Sequence, residues 1–318
     1  MSSLSPHAVE IRSLSRHFRG KPALTDVTLN IDHGSIFGLV GLNGAGKTTL
    51  IRHLIGSMKA LHGSVNVLGQ DPTIRPEKLL ARIGYMSEED SLPQWMRVND
   101  LIQFCRSVYP GWSDRYAAEL CEMFSLSPAA KLKSLSKGGR ARAALLAAIA
   151  HRPELLILDE PSSGLDPIAR ADILEAIIRT TADEGRTVLF SSHLLDEIER
   201  VCDHVALLHD GKLLESIAAD TLPDRYLQCW YKSDVPSTTP PTIPATFGPS
   251  GDGTEWSVLL DLQQSRGGPD ISVESAGTRW DLIRSEPATL QRWFAGRVRT
   301  LPNRQRTTVE TMEVNESV

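Results

Sequence analysis

The stretch SIFGLVGLNGAGKTTLIRHLIGSM, residues 35–58, decides the fold. An apolar run of β type leads into a glycine-rich turn, after which Leu50, Ile51, Leu54, Ile55 and Met58 recur at helical spacing. Strand, loop and helix therefore follow in order. The octet GLNGAGKT, Gly41 to Thr48, fits G-x-x-x-x-G-K-[ST] in the context that this motif requires. Its glycines let the backbone wrap closely around phosphates, and the N–H groups along Gly41, Asn43, Gly44, Ala45, Gly46, Lys47, Thr48 and Thr49 face the anion. Lys47 is placed to hold the β and γ phosphates, and the Thr48 hydroxyl to ligate Mg²⁺.

Outward from this unit the pattern repeats. LLILDE, Leu155 to Glu160, is a buried-type strand followed by a helix with Ile173, Leu174, Ile177 and Ile178 on one face. A third strand, TVLFSSH, starts at Thr187. Strands alternating with helices predict an α/β fold with a mostly parallel sheet covered on both faces, and an antiparallel β part is expected ahead of it. Between about residues 95 and 150 the β pattern gives way to a helical insertion. The reading is a first domain over 1–218 and a small α+β accessory domain over 219–300. Within the latter, residues 236–253, with five prolines and three glycines, read as a linker. The polar stretch 301–318 reads as a disordered tail.

Composition narrows the function. The 318 residues carry a net charge of −5, which argues against a chain held to nucleic acid by a basic surface. The four cysteines, Cys105, Cys121, Cys202 and Cys229, form no CxxC pair, so a reducing cytosol is expected and neither a zinc site nor a disulfide framework is. The N-terminus lacks the basic start and apolar stretch of a secretory signal. The most apolar segment, AALLAAIA, is far shorter than the ~20 residues that span a bilayer. Any membrane role must then run through a partner.

Three further signals carry chemistry. The strand LLILDEP delivers Asp159 and Glu160 at the carboxyl edge of the sheet, where α/β proteins bind ligands. Asp159 suits a Mg²⁺ contact and Glu160 a general base that polarises water. His193 ends TVLFSSH at the same edge, beside the expected γ phosphate. In SLSKGGRARAALLAAIA, Ser136 is a good N-cap, and Gly138 and Gly139 leave the first-turn N–H groups uncovered for another anion.

Taken in order, GLNGAGKTT, LSKGG, LLILDEP, SSGLD and SSH resemble the nucleotide-binding subunit of ATP-binding cassette (ABC) transporters, over roughly Ala8 to Ser216. The resemblance implies a P-loop NTPase cassette that binds ATP and Mg²⁺, hydrolyses ATP and drives a separate transmembrane permease from the inner face of the cell membrane. It implies that Phe18 stacks on adenine, and that Ser136 and Gly138 touch the γ phosphate held by a second ATP-binding subunit. Asp166, in SSGLD, is implied to link the two sites of that dimer.

Two positions depart from the pattern: Lys137 replaces a glycine of the usual LSGGQ, and Glu88 stands where most relatives carry glutamine as a Mg²⁺ ligand. The sequence SEED followed by LPQWM resembles a subset of exporter-type subunits. The rival reading is a soluble cassette ATPase acting in DNA repair or on the ribosome. Such proteins tend to carry long coiled coils or two cassettes in one chain, and this sequence has neither. A regulatory subunit that binds ATP without turnover is opposed by the intact Glu160 and His193.

Overall fold

The computed structural model of the chain describes residues 6–89, 92–182, 185–265 and 267–300. The chain divides between Ser216 and Ile217 into two compact units.

The first unit opens with β1 (His7–Phe18) and β2 (Lys21–Asp32) and continues through β3 (Ile36–Val40), α1 (Lys47–Leu54), β4 (His62–Val67), α2 (Pro76–Leu80) and β5 (Ile83–Met86). Helices α3 (Val98–Val108), α4 (Asp114–Met123) and α5 (Lys137–Ile149) then precede β6 (Leu155–Asp159), α6 (Pro167–Ala182), β7 (Thr187–Ser192), α7 (Leu195–Val201), β8 (His204–His209) and β9 (Lys212–Ala218), whose last two residues lie past the division.

Two sheets result. One is antiparallel, in the order β2-β1-β4; the other has the order β5-β6-β7-β3-β8-β9, with parallel pairing from β5 through β8. Every residue of β3, β6 and β7 is buried, as continuous apolar strands covered on both faces should be. This is the mixed P-loop architecture that strand, loop and helix predicted. Among the described residues no helix is long and apolar enough to cross a membrane.

In the second unit, α8 (Leu222–Arg225) leads into β10 (Tyr226–Lys232), β11 (Thr246–Asp252), β12 (Glu255–Asp261), β13 (Ser272–Ser275), β14 (Thr278–Pro287) and α9 (Leu290–Arg299). The strands form one antiparallel sheet, β11-β12-β10-β14-β13, with Cys229, Tyr231, Val258, Leu260 and Trp280 in its core.

The linker reading of 236–253 is corrected here, because β11 lies inside that stretch. Its proline is tolerated on an edge strand, at a break in register between Phe247 and Ser250. Its Gly248 is there for closeness rather than flexibility: a Cβ would lie 2.3 Å from the Cα of Gly296 in α9. The tail expected over 301–318 lies outside the described residues.

Candidate active site

The loop between β3 and α1 is shaped by contacts that only glycine permits. A Cβ on Gly41 would sit 2.3 Å from the Leu208 carbonyl, and one on Gly46 would sit 2.7 Å from that of Ala23. From the far side the Asp210-Gly211 turn braces the loop: Gly211 N donates to Ala45 O at 2.9 Å, and Thr25 N donates to Gly211 O at 2.7 Å. Gly46, at φ +108°, is the N-cap of α1 and brings no capping side chain. The first-turn N–H groups of Lys47, Thr48 and Thr49 are thus left for an external anion, which is the polarity a phosphate needs. Asn43 and Gly44 are exposed at the tip, while Ala45 is buried beneath them.

Strand register sets the neighbouring groups. Asp159 at the end of β6 pairs with Ser191 of β7, and Ser192 pairs with Val40 of β3. Three adjacent strands therefore end together, and Asp159, Glu160, His193 and the loop after Val40 share one sheet edge.

Lys47 Nζ donates to Gly41 O at 2.6 Å and lies 3.0 Å from Glu160 Oε1. The other carboxylate oxygen, Oε2, accepts from His193 Nδ1 at 2.6 Å and from His193 N at 3.2 Å. Glu160 itself holds a left-handed φ of +50°, costly for a residue with a Cβ and of the kind that clusters at functional sites. Ser191, which the sequence reading passed over, stabilises that turn. Its hydroxyl donates to Asp159 Oδ1 at 2.8 Å and accepts from Glu160 N at 3.0 Å. Its signal was its place, third from last in TVLFSSH, opposite the strand that ends in the two acids.

Burial alone pushes the Glu160 carboxyl up, but the His193 hydrogen bond and the Lys47 charge outweigh it and hold the group below its ordinary range. The same hydrogen bond to Glu160 raises His193 against burial and the charge of Lys47. Folding therefore favours the imidazolium. That contribution is complete below the ordinary imidazole value of about 6.5 and is lost as pH rises through the raised one. The stability advantage of the native chain over His193→Ala should accordingly shrink as pH climbs above about 6.5, measured by urea unfolding at a series of pH values. An advantage that is flat with pH would contradict the pairing.

The remaining predicted residues occupy other places. Ser136 caps α5 by accepting from Gly139 N at 3.1 Å. Gly138 is pressed against α6, where a Cβ would lie 2.6 Å from Ala169 Cβ and 3.3 Å from Asp166 Oδ2, so Ser136, Gly138 and Asp166 form a second cluster. Lys137 reaches over Gly164, whose Cβ would meet its ammonium at 2.4 Å.

Phe18, 40% exposed, ends β1 with the Arg16 guanidinium 5.0 Å over its ring. Glu88 is exposed and lines a cavity of about 590 Å³ that extends from Glu160 and Ser163 to Met86, Leu92, Met96, Phe104 and Val108.

The comparisons with known proteins agree with this geometry. Residues 24–163 match the family model described as "ABC transporter", and residues 129–198 match one described as "AAA domain, putative AbiEii toxin, Type IV TA system". The ABC transporter ATP-binding protein YtrB of Bacillus subtilis (strain 168) is 33% identical over 229 residues, 71% of this chain and 78% of that protein. The Bacitracin transport ATP-binding protein BcrA of Bacillus licheniformis is 32% identical over 68% of this chain and 72% of its own length. The Nod factor export ATP-binding protein I of Rhizobium leguminosarum bv. viciae is 34% identical over 71% and 74%. A solved structure of an ATP-binding subunit of an ABC transporter superposes with a TM-score of 0.63 at 30% identity, covering 70% of this chain and 92% of that one. With about a third of the aligned residues identical across about three quarters of such relatives, the chain belongs to the ATP-binding subunits of ABC transporters and is an ATPase of that family.

Proposed function

We propose that two such subunits close over two Mg²⁺-bound ATP molecules and reopen on hydrolysis, driving a separate permease that exports its cargo. The observation that carries this is the convergence of Lys47, Glu160 and His193 at one sheet edge, on the uncapped N-terminus of α1. Lys47 exchanges its contact with Glu160 for the β and γ phosphates. Glu160, held ionised, polarises the attacking water, and His193, anchored through Nδ1, keeps Nε2 for a γ-phosphate oxygen. Ser136, Gly138 and Asp166 contribute from the opposite subunit, and Phe18 stacks on the adenine. The relative that transports bacitracin supports a transport role, and the one that exports Nod factor supports the export direction.

The donor set suits Mg²⁺. Among the described residues no group of three or more His, Cys, Asp and Glu side chains is arranged to hold a metal, so a cation here depends on substrate oxygens. The Thr48 hydroxyl and the Asp159 carboxylate, completed by phosphate oxygens and water, are what Mg²⁺ takes beside a triphosphate. Glu88 offers a further carboxylate. The ion would offset the charge that develops on the phosphates.

The permease docks in the cavity that runs from Glu88 to Phe104, whose outer side exposes Phe104 and whose neighbour Trp95 is 74% exposed. The subunit thereby sits on the cytoplasmic face of the membrane. Co-expression with a candidate permease should yield a complex purified from membranes. Phe104→Asp should abolish recovery of that complex and leave the ATPase rate of the isolated chain within about twofold. Recovery with ribosomes or DNA, and with no membrane protein, would overturn the transport reading.

A further inference from the structure

Behind Glu160 and His193 lies a second acid that the proposed chemistry leaves unused. Glu197, in the first turn of α7, is only 1% exposed. Its Oε2 accepts hydrogen bonds from Ser162 Oγ at 2.6 Å and Ser192 Oγ at 3.1 Å, and its Oε1 lies 3.1 Å from Arg170 Nε.

These partners come from three separate segments. Ser192 ends β7 and immediately precedes His193. Ser162 lies two residues beyond Glu160, in the loop that runs on to Asp166. Arg170 belongs to the first turn of α6, where its N–H donates to Asp166 O at 3.0 Å, and Asp166 is the residue packed against Gly138.

Burial pushes the Glu197 carboxyl up, against the pull of both hydroxyls and Arg170. An apolar side chain of similar volume would fill this space at lower cost. What the carboxylate adds is direction. The Ser192 hydroxyl donates to Glu197 and accepts from Leu194 N at 3.0 Å, while the His193 N–H is held by Glu160. The peptide that carries His193 is gripped on both sides.

We propose that Glu197 is a positioning residue for ATP hydrolysis: it locks the His193 peptide to the loop that follows Glu160, so that the histidine is held in place against the general base. This rests on the reading that His193 and Glu160 act at the γ phosphate. The residue acts through His193, so its effect must vanish when His193 is gone.

The test is steady-state ATP hydrolysis by the full-length chain with Mg²⁺. Glu197→Gln should lower kcat about 10- to 100-fold with KM for ATP changed less than about threefold. In a His193→Ala background the same substitution should cost less than about twofold more. Should Glu197→Gln fail to fold, Ser192→Ala removes one hydroxyl alone, and a kcat drop of about fivefold that is likewise absent in the His193→Ala background is expected.

A wild-type kcat in the folded variants, or losses that multiply in full with His193→Ala, would overturn the proposal. Failure of the underlying reading looks different: His193→Ala by itself would then hydrolyse ATP at the native rate.

Discussion

Glu160→Gln should lower ATP turnover about a thousandfold while ATP binding stays within a few-fold of native. The amide matches the carboxylate in shape, so its carbonyl oxygen can still accept from His193 Nδ1 and N, and the left-handed turn at residue 160 is kept. What it loses is basicity. A carboxylate held ionised by Lys47 and His193 can polarise water; a neutral amide at the same place cannot. Single-turnover hydrolysis and nucleotide binding, measured on the same preparation, separate the two quantities. Unchanged turnover would remove Glu160 from the chemistry and leave it as the partner that holds Lys47 and His193 in place.

The residues legible in the sequence are those whose meaning is local. GLNGAGKT announces itself because strand, turn and helix must be contiguous to bring amides onto a phosphate. Asp159, Glu160 and His193 could be placed from strand ends alone, since parallel strands in one sheet end at a common edge.

What escaped depends on partners far apart in the chain. Glu197 reads as one acid of an ordinary helix start until Ser162, 35 residues earlier, donates to it. The same holds for residues 236–253, where the pairing of β11 with β12 and the close packing of Gly248 on Gly296 are tertiary events that override a composition typical of linkers. Lys137 lies between these cases. Its departure from the usual glycine is plain in the sequence, but that its ammonium covers Gly164 is visible only in the structure.

Lys47→Met should be the other large effect, and it divides into two measurable parts. Hydrolysis should fall at least about a hundredfold, because no cation remains to offset the phosphate charge. In the absence of nucleotide the folded chain should also lose about 3 kcal/mol, since Lys47 and Glu160 are both nearly fully buried and removing one partner strands the other. That figure sits at the low end of the range for such pairs because His193 remains bonded to Oε2.

The second substitution, Glu160→Gln, should then restore most of the lost stability and none of the activity, because the buried charge that had no partner is gone. The part not restored reflects the Gly41 carbonyl, which loses its donor in either background. Urea unfolding of the native chain, both single variants and the double variant closes the cycle. Strictly additive losses would mean that the 3.0 Å approach of Lys47 to Glu160 carries no coupling, and that the phosphate site and the base are built independently.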